Sequence, residues 1–377
     1  MMNLKTKLSL FAIVILISSC SKTNNEVFND KVTLVFKEHL LFELDSETKR
    51  NSKIVGYSKK LNSIYLFNEF NYSIYFFDLE TKSLTNKLEL EKDGPNGVGE
   101  ISKLTVLSKD SIFAYSRHTN YLYQINSGGH IVDKSQVFSL DEPDPSIQTY
   151  SPSVFFLGKT KDIFLPIRPN SRTERKRQAV MLKYNVSNGK KEYIKIWPEE
   201  YRDYSNIGTT SYATLNQRNS KLLISFSFDP NIHVIDLING NDVVQYFGSG
   251  KVPEMKEFKG RGDMENVIKY MTSTSYYRNV FYDEHKNYYL RSGIIGKSIL
   301  DEKIVPNKKY KTVNGDDIFS LIIILDENYN KVGEVHKELL LDEVFSTKDG
   351  LYIKDPLFDR DNEDILAFKR FEYVSKE

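Results

Sequence analysis

Six histidines, one cysteine and a set of arginines at strand ends are the residues whose types could support chemistry in this 377-residue chain. The histidines are His39, His118, His130, His233, His285 and His336, and no two stand at His-x-x-x-His spacing. A helical metal site needs that spacing to put two imidazoles on one face, so none is encoded. Gly248-Ser249-Gly250-Lys251 is rich in glycine, but Gln245 and Val252 break the pattern that lets backbone N–H groups and a lysine converge on phosphate. Asp359 to Asp364 offers oxygen ligands for calcium, yet Asp364 and Arg370 occupy the positions where a helix-loop-helix calcium site needs Gly and Glu. It reads as an acidic turn. The tripeptide Arg261-Gly262-Asp263 is short enough to occur by chance. No Gly-x-Ser-x-Gly elbow is present. Catalytic residues, a metal and a cofactor are therefore not assigned.

The cysteine has a clearer meaning. Lys5 and Lys7 precede the apolar run Leu8 to Ile17, small residues follow, and then comes Cys20. A basic start, a short apolar core and a small-residue cleavage site describe an export signal over residues 1–19. The run is shorter than the ~20 apolar residues that span a bilayer. Ile17-Ser18-Ser19-Cys20 resembles a bacterial lipobox, which implies that Cys20 becomes the first mature residue and carries lipid. Acyl chains then supply membrane binding, at about 0.8 kcal/mol per buried CH₂. Ser21 does not resemble the inner-membrane retention signal, which points to the outer membrane, facing the periplasm. Residues 20–30 read as a polar tether and 31–377 as the folded body. The lone cysteine leaves no internal disulfide or Cys-based zinc cage. With 52 basic against 51 acidic residues, the chain lacks the charge excess that draws a protein to nucleic acid.

The elements that must position the remaining cations are strands. Tyr (24) and Phe (23) are abundant while alanine is scarce, which suits pleated surfaces rather than helices. Short apolar runs recur in pairs: Ile64–Phe67 with Ser73–Asp78, Ile112–Tyr115 with Tyr121–Ile125, Ile163–Pro166 with Ala179–Tyr184, Leu222–Ser225 with Ile232–Asp236, Tyr288–Arg291 with Leu321–Leu325, and Leu351–Lys354 with Ile365–Phe368. Another strand precedes each pair, as Ile54 to Tyr57 and Tyr276 to Tyr282 do. Turns such as Asn188-Gly189 and Asn239-Gly240 follow most second members, and Asn-Gly favours tight hairpins because both residues tolerate positive φ. Four strands per unit at a period of about 50–65 residues is a propeller signature. The last unit lacks a fourth strand, which Val32-Thr33-Leu34-Val35-Phe36 can supply. The expected fold is thus all-β: a single β-propeller of six blades, closed by an N-terminal strand joining the C-terminal blade. Seven blades is the rival, because residues 272–338 have room for extra strands. Insertions are expected at 248–270 and 292–316.

The link Glu91-Lys92-Asp93-Gly94-Pro95-Asn96-Gly97-Val98-Gly99-Glu100 resembles the Gly-x-Gly-Pro-Gly-Glu connection between blades of a Gram-negative family, with Asp93 replacing its first glycine. Phe247-Gly248-Ser249-Gly250-Lys251 is similar to a second copy, and Val280 to Arg291 is similar to a Tyr-Asp…Tyr-Tyr-Arg stretch in one group. The family is that of six-bladed β-propeller, or domain-of-unknown-function, lipoproteins. The resemblance implies a propeller and a lipid anchor, and carries no catalytic residues.

In such a ring the loops joining second and third strands gather on one face. Arg117, Arg168, Arg291 and Lys354 fall at or near the ends of second strands, and the loop from Arg168 to Arg177 adds Arg172. Guanidinium forks suit carboxylates and phosphates. His118 and Tyr289 would add hydrogen-bonding or stacking surface. The expected site is a mouth for an anionic ligand or acidic partner; a solvated, salt-bridged loop face is the alternative. The expected function is a membrane-anchored binding or interaction propeller with a protein or glycan partner. A carbohydrate- or ester-processing enzyme of the cell envelope is the other reading, since fold alone does not separate them.

Overall fold

The computed structural model describes residues 30–48, 54–116, 118–138, 146–147, 155–157, 161–168, 179–197, 211–250, 252, 274–296, 319–336, 341–355, 358 and 364–376. The expected export signal, and all of the tether before Asp30, lie outside them. The first strand is β1 (Val32–Glu43). Blade 1 follows with β2 (Ile54–Ser58), β3 (Ser63–Asn68), β4 (Ser73–Asp78) and β5 (Leu84–Glu89). Blade 2 holds β6 (Ile101–Ser108), β7 (Ser111–Ser116), β8 (Tyr121–Ile125) and β9 (Ile131–Gln136). Blade 3 holds the short β10 (Ser146–Ile147) and β11 (Phe155–Leu157), then β12 (Asp162–Arg168), β13 (Ala179–Asn185) and β14 (Lys191–Ile196). Blade 4 holds β15 (Ser211–Asn216), β16 (Lys221–Phe226), β17 (Asn231–Asp236) and β18 (Asp242–Tyr246). Blade 5 holds β19 (Tyr276–Asp283), β20 (Tyr288–Ile295), β21 (Phe319–Leu325) and β22 (Lys331–His336). Blade 6 holds β23 (Val344–Thr347), β24 (Gly350–Lys354) and β25 (Ile365–Ser375). Each blade is one antiparallel sheet, and β1 completes the sixth in the order β1-β25-β24-β23.

Alternation explains how the sheets stack. Along β3, Ile64 and Leu66 join the apolar cluster shared with blade 6, while Tyr65 and Phe67 join the cluster shared with blade 2. Successive side chains of a strand point to opposite faces, so a strand with apolar residues at every position is buried on both sides. Six such clusters fill the six interfaces between neighbouring blades. The outermost strands are half polar, as in Asp242–Tyr246, where four of five residues are exposed.

The turns after third strands share one device. Asp78, Asn126, Asn185, Asp236 and Asp326 each accept backbone N–H groups of the turn they open: Asp78 Oδ1 from Thr81 N (2.7 Å), Asp236 Oδ1 from Ile238 N (2.8 Å), Asp326 Oδ1 from Asn328 N (2.9 Å). Such side chains mimic a backbone turn. The link Glu91 to Glu100 is compact as well, with Val98 N donating to Glu91 O and Gly99 N to Lys92 O (both 3.0 Å).

Closure is the expected one. β1 pairs with β25 from Val32↔Ser375 to Glu43↔Ile365. Gly333 in β22 lies so near that a Cβ there would collide with the Val32 carbonyl oxygen, which lets the closing strand sit against blade 5. One boundary differs from expectation. β20 runs on through Ser292-Gly293-Ile294 to Ile295, each paired with β21, so an insertion does not begin at residue 292.

Candidate functional site

The first strands of five blades, β2, β6, β15, β19 and β23, line a central cavity of about 740 Å³. Antiparallel pairing puts the turns between first and second strands at one end of the channel. We call that the turn end; the links between blades and the second-to-third loops form the other, the link end. The wall carries aromatic rings and isolated hydrogen-bonding groups. Tyr57 stacks on Phe345 (centroids 4.6 Å), which stacks on Tyr352 behind it (4.8 Å). Thr105, Thr214, Gln217 and Asn279 supply polar atoms along the wall.

Charges collect at both ends. At the turn end, Lys59 of blade 1 and Glu284 of blade 5 form an ion pair (2.7 Å). Arg218 of blade 4 donates to Asn287 Oδ1 (2.8 Å) and to the Glu284 carbonyl (3.1 Å), so one corner ties three blades. Lys60 also lines the cavity.

Towards the link end, a β-bulge re-aims two side chains. The β19–β20 register shifts between Tyr277 and Val280, leaving Arg278 and Asn279 opposite Ser292. Bulges commonly occur beside functional sites because they turn a side chain out of its normal alternation. Arg278 Nη2 lies 2.9 Å from Asp342 Oδ1 and donates to Oδ2 (3.1 Å); Asn279 Nδ2 donates to Asp342 Oδ1 (2.6 Å). Arg278 and Asp342 keep 24 % and 38 % of their side-chain surface open, so the pair is packed among protein atoms yet reachable. Burial pushes the Asp342 carboxyl up, and the Arg278 guanidinium offsets part of that rise. Burial would weaken the guanidinium's hold on its proton, but Asp342, Tyr212 and Tyr276 outweigh it and keep the group charged. Burial raises both neighbouring phenols, Tyr212 to about 12.

A second bulge, between Ile101 and Lys103, sets Lys103 opposite Tyr115 on the side facing blade 3. Lys103 is enclosed, and loss of hydration lowers its amine from 10.5 to about 7. Between those two pH values the unfolded chain holds a proton that the folded chain has released, so stability attributable to this group rises with pH. Lys103→Met removes that dependence, so the stability of the parent relative to the variant should rise by about 1.4 kcal/mol per pH unit from pH 7 toward pH 10.5, in urea unfolding across that range. A difference independent of pH would refute it.

These bulged inner strands belong to a known kind of chain. Residues 28–336 match the family model described as a domain of unknown function, DUF4221. The chain belongs to the DUF4221 family. A crystal structure of a DUF4221 member from Bacteroides vulgatus is similar over 92 % of this chain and 99 % of that one, with a TM-score of 0.74 and 23 % identity. A candidate exported protein from Bacteroides fragilis is similar over 94 % and 98 %, with a TM-score of 0.53 and 12 % identity. None of the curated proteins matches.

In this DUF4221 chain the two described cations of the expected mouth, Arg291 and Lys354, take different places. Arg291 is fully buried in the middle of β20, because the strand continues four residues beyond it. Its guanidinium donates to the carbonyls of Phe226 (3.0 Å), Asp229 (2.7 Å), Pro230 (3.1 Å) and Phe247 (3.1 Å), and its Cζ sits 3.8 Å from the Tyr277 ring centre. It joins blade 4 to blade 5 rather than facing a mouth. Tyr289 is buried too, accepting from Asn216 Nδ2 (2.7 Å) and stacked on Tyr329 (5.1 Å). Lys354 does reach the link end and donates to Glu343 Oε1 (3.2 Å), a residue of the cavity wall. His118 is exposed beside Glu100 (2.6 Å). Arg117 and Arg172 lie outside the described residues, and Arg168 is described only as the last residue of β12. Among the described residues, no three His, Cys, Asp or Glu side chains gather as a metal site.

Sequence reasoning passed over Lys103, Arg278, Asn279 and Asp342. The available signal was a cation inside an aromatic strand, Tyr276-Tyr277-Arg278, and another between apolar neighbours, Ile101 to Leu104.

Proposed function

We propose that this propeller is a lipid-anchored binding module of the cell envelope, on the outer membrane facing the periplasm, and that its channel takes an acidic sugar. The observation that carries this reading is the cavity itself. About 740 Å³ is enough for one or two sugar rings, and its wall joins the Tyr57–Phe345 stack to Lys60 and Arg218 at one end. A pyranose ring would lie on the aromatic wall, its hydroxyls meeting Thr105, Thr214 and Asn279. Its carboxylate would sit by Arg218, whose planar fork suits a carboxylate. The anchor is supported by Lys5, Lys7 and the apolar run before Cys20, and the similar Bacteroides fragilis protein described as a candidate for export agrees with an envelope location.

Isothermal titration with glucuronate and with glucose tests the ligand class. Saturable heat is expected from glucuronate and none from glucose. Arg218→Ala should weaken glucuronate binding roughly 10- to 100-fold, the usual range for losing a hydrogen bond to a charged group. Equal response to both sugars, or no response to either, would overturn the reading.

A further inference from the structure

The turn end of the channel is a ring of cations. All six turns between first and second strands carry at least one exposed basic residue: Lys59 and Lys60, then Lys109, Lys161, Arg218, Lys286 and Lys348. The described parts of these turns hold only three acids, Asp110, Glu284 and Asp349, and Glu284 already pairs with Lys59. Outside them, the third-to-fourth turns and the residues that open them hold Asp78, Glu80, Asp236, Asp326 and Glu327 against Lys82 and Lys190, with Asp236 already paired to Lys221 (2.7 Å), so the excess of cations is confined to the inner ring.

The chain also enters the propeller on this face. β1 is the outermost strand of blade 6, so it starts at the level of the third-to-fourth turns. Two bonds fix that level: Lys31 N donates to Val332 O, just after the turn at 326–330, and Lys376 N donates to Lys31 O (both 2.8 Å). Lys31 and Lys376 are themselves exposed there. From Cys20 to Lys31 is a short stretch, at most about 35–40 Å when extended. A lipid on Cys20 would thus hold the cationic face, rather than the link end, toward the bilayer.

We infer that the turn end docks on an anionic phospholipid surface. The orientation rests on the lipid-anchor reading above; the electrostatic contact does not. A basic surface adds about 1 kcal/mol per lysine or arginine near the headgroups, which is about fivefold in affinity.

The test uses the mature chain, residues 20–377, with Cys20→Ser so that no lipid contributes. Co-sedimentation is measured with vesicles of phosphatidylcholine containing about a third phosphatidylglycerol, and with phosphatidylcholine alone. Binding is expected only to the anionic vesicles and should be lost in 0.5 M NaCl, since exposed charges are screened at that ionic strength. Lys109→Ser with Lys348→Ser should reduce it roughly tenfold or more, whereas Lys92→Ser with Lys354→Ser on the link end should leave it unchanged. Unchanged thermal unfolding in both pairs confirms that folding is not the cause. Equal loss from both pairs, or equal binding to both vesicles, overturns the inference. The mass of the Cys20 peptide from the full chain, expressed in a lipoprotein-processing bacterium, tests the anchor separately. An unmodified cysteine would remove the anchor and the argument for orientation, while vesicle binding would still decide the contact.

Discussion

Arg291→Met should lower unfolding free energy by several kcal/mol, on the order of 3–6, because it takes a charged donor away from four backbone carbonyls, of which Phe226 O still accepts from Asp229 N (3.4 Å) and Pro230 O from Phe247 N (2.9 Å). Those carbonyls belong to the second-to-third loop of blade 4 and to the link leaving it, so one side chain fastens blade 4 to blade 5. Methionine fills part of the space and keeps some contact with Tyr277, which isolates the hydrogen-bonding loss from a cavity effect. Arg291→Lys should rescue little. A single ammonium donates three bonds from one point and cannot reproduce a planar fork that reaches acceptors on both sides. Equilibrium urea unfolding checks this directly. A role confined to ligand binding predicts the opposite, weaker binding at unchanged stability, and a loss below about 1 kcal/mol would sink the clamp.

Removing residues 1–44 should abolish cooperative folding. β1 covers the edge of β25 along its full length and buries Val32, Leu34, Leu40 and Phe42 in the clusters shared with blades 5 and 1. At about 1.5–3 kcal/mol for each buried side chain, their loss is roughly 6–12 kcal/mol, comparable with the whole net stability of an ordinary domain. The exposed edge of β25 would add a site for aggregation. The truncated chain is expected to bind a hydrophobic dye and to lack a sharp thermal transition. A peptide of residues 31–44 added in excess should restore both, since the missing strand need only pair at one edge. A sharp transition in the truncated chain without peptide would show that five and three-quarter blades suffice.

The strands were legible because their causes are local. Ser73 to Asp78 is apolar on both faces, and that pattern alone demands a strand between two packed surfaces. The Asx residues at 78, 126, 185, 236 and 326 mark turns by a bond reaching only two to four residues along the chain. The missing fourth strand of the last unit likewise pointed to its replacement at Val32. The site was much less legible. Arg291 looked like the end of a strand because the serine and glycine after it resemble a loop, whereas both are paired with β21. Lys354 ends β24, and its charge is matched by Glu343, which stands eleven residues earlier, just before β23. Lys59 and Arg218 drew no attention in separate turns, and only ring closure brings them to the same corner of the channel.

By itself, then, the amino-acid order determined that this chain is a ring of four-stranded sheets and where the ring closes, because alternation and turn chemistry act over a few residues. Only the tertiary structure decided what each cation does. Arg291 finds its acceptors 44 to 65 residues away, and Lys59 finds its carboxylate 225 residues away. Whether a guanidinium is a structural clamp or a site for an anion depends on which carbonyls and carboxylates surround it. Those neighbours are set by the stacking of blades and by bulges that shift the alternation by one residue.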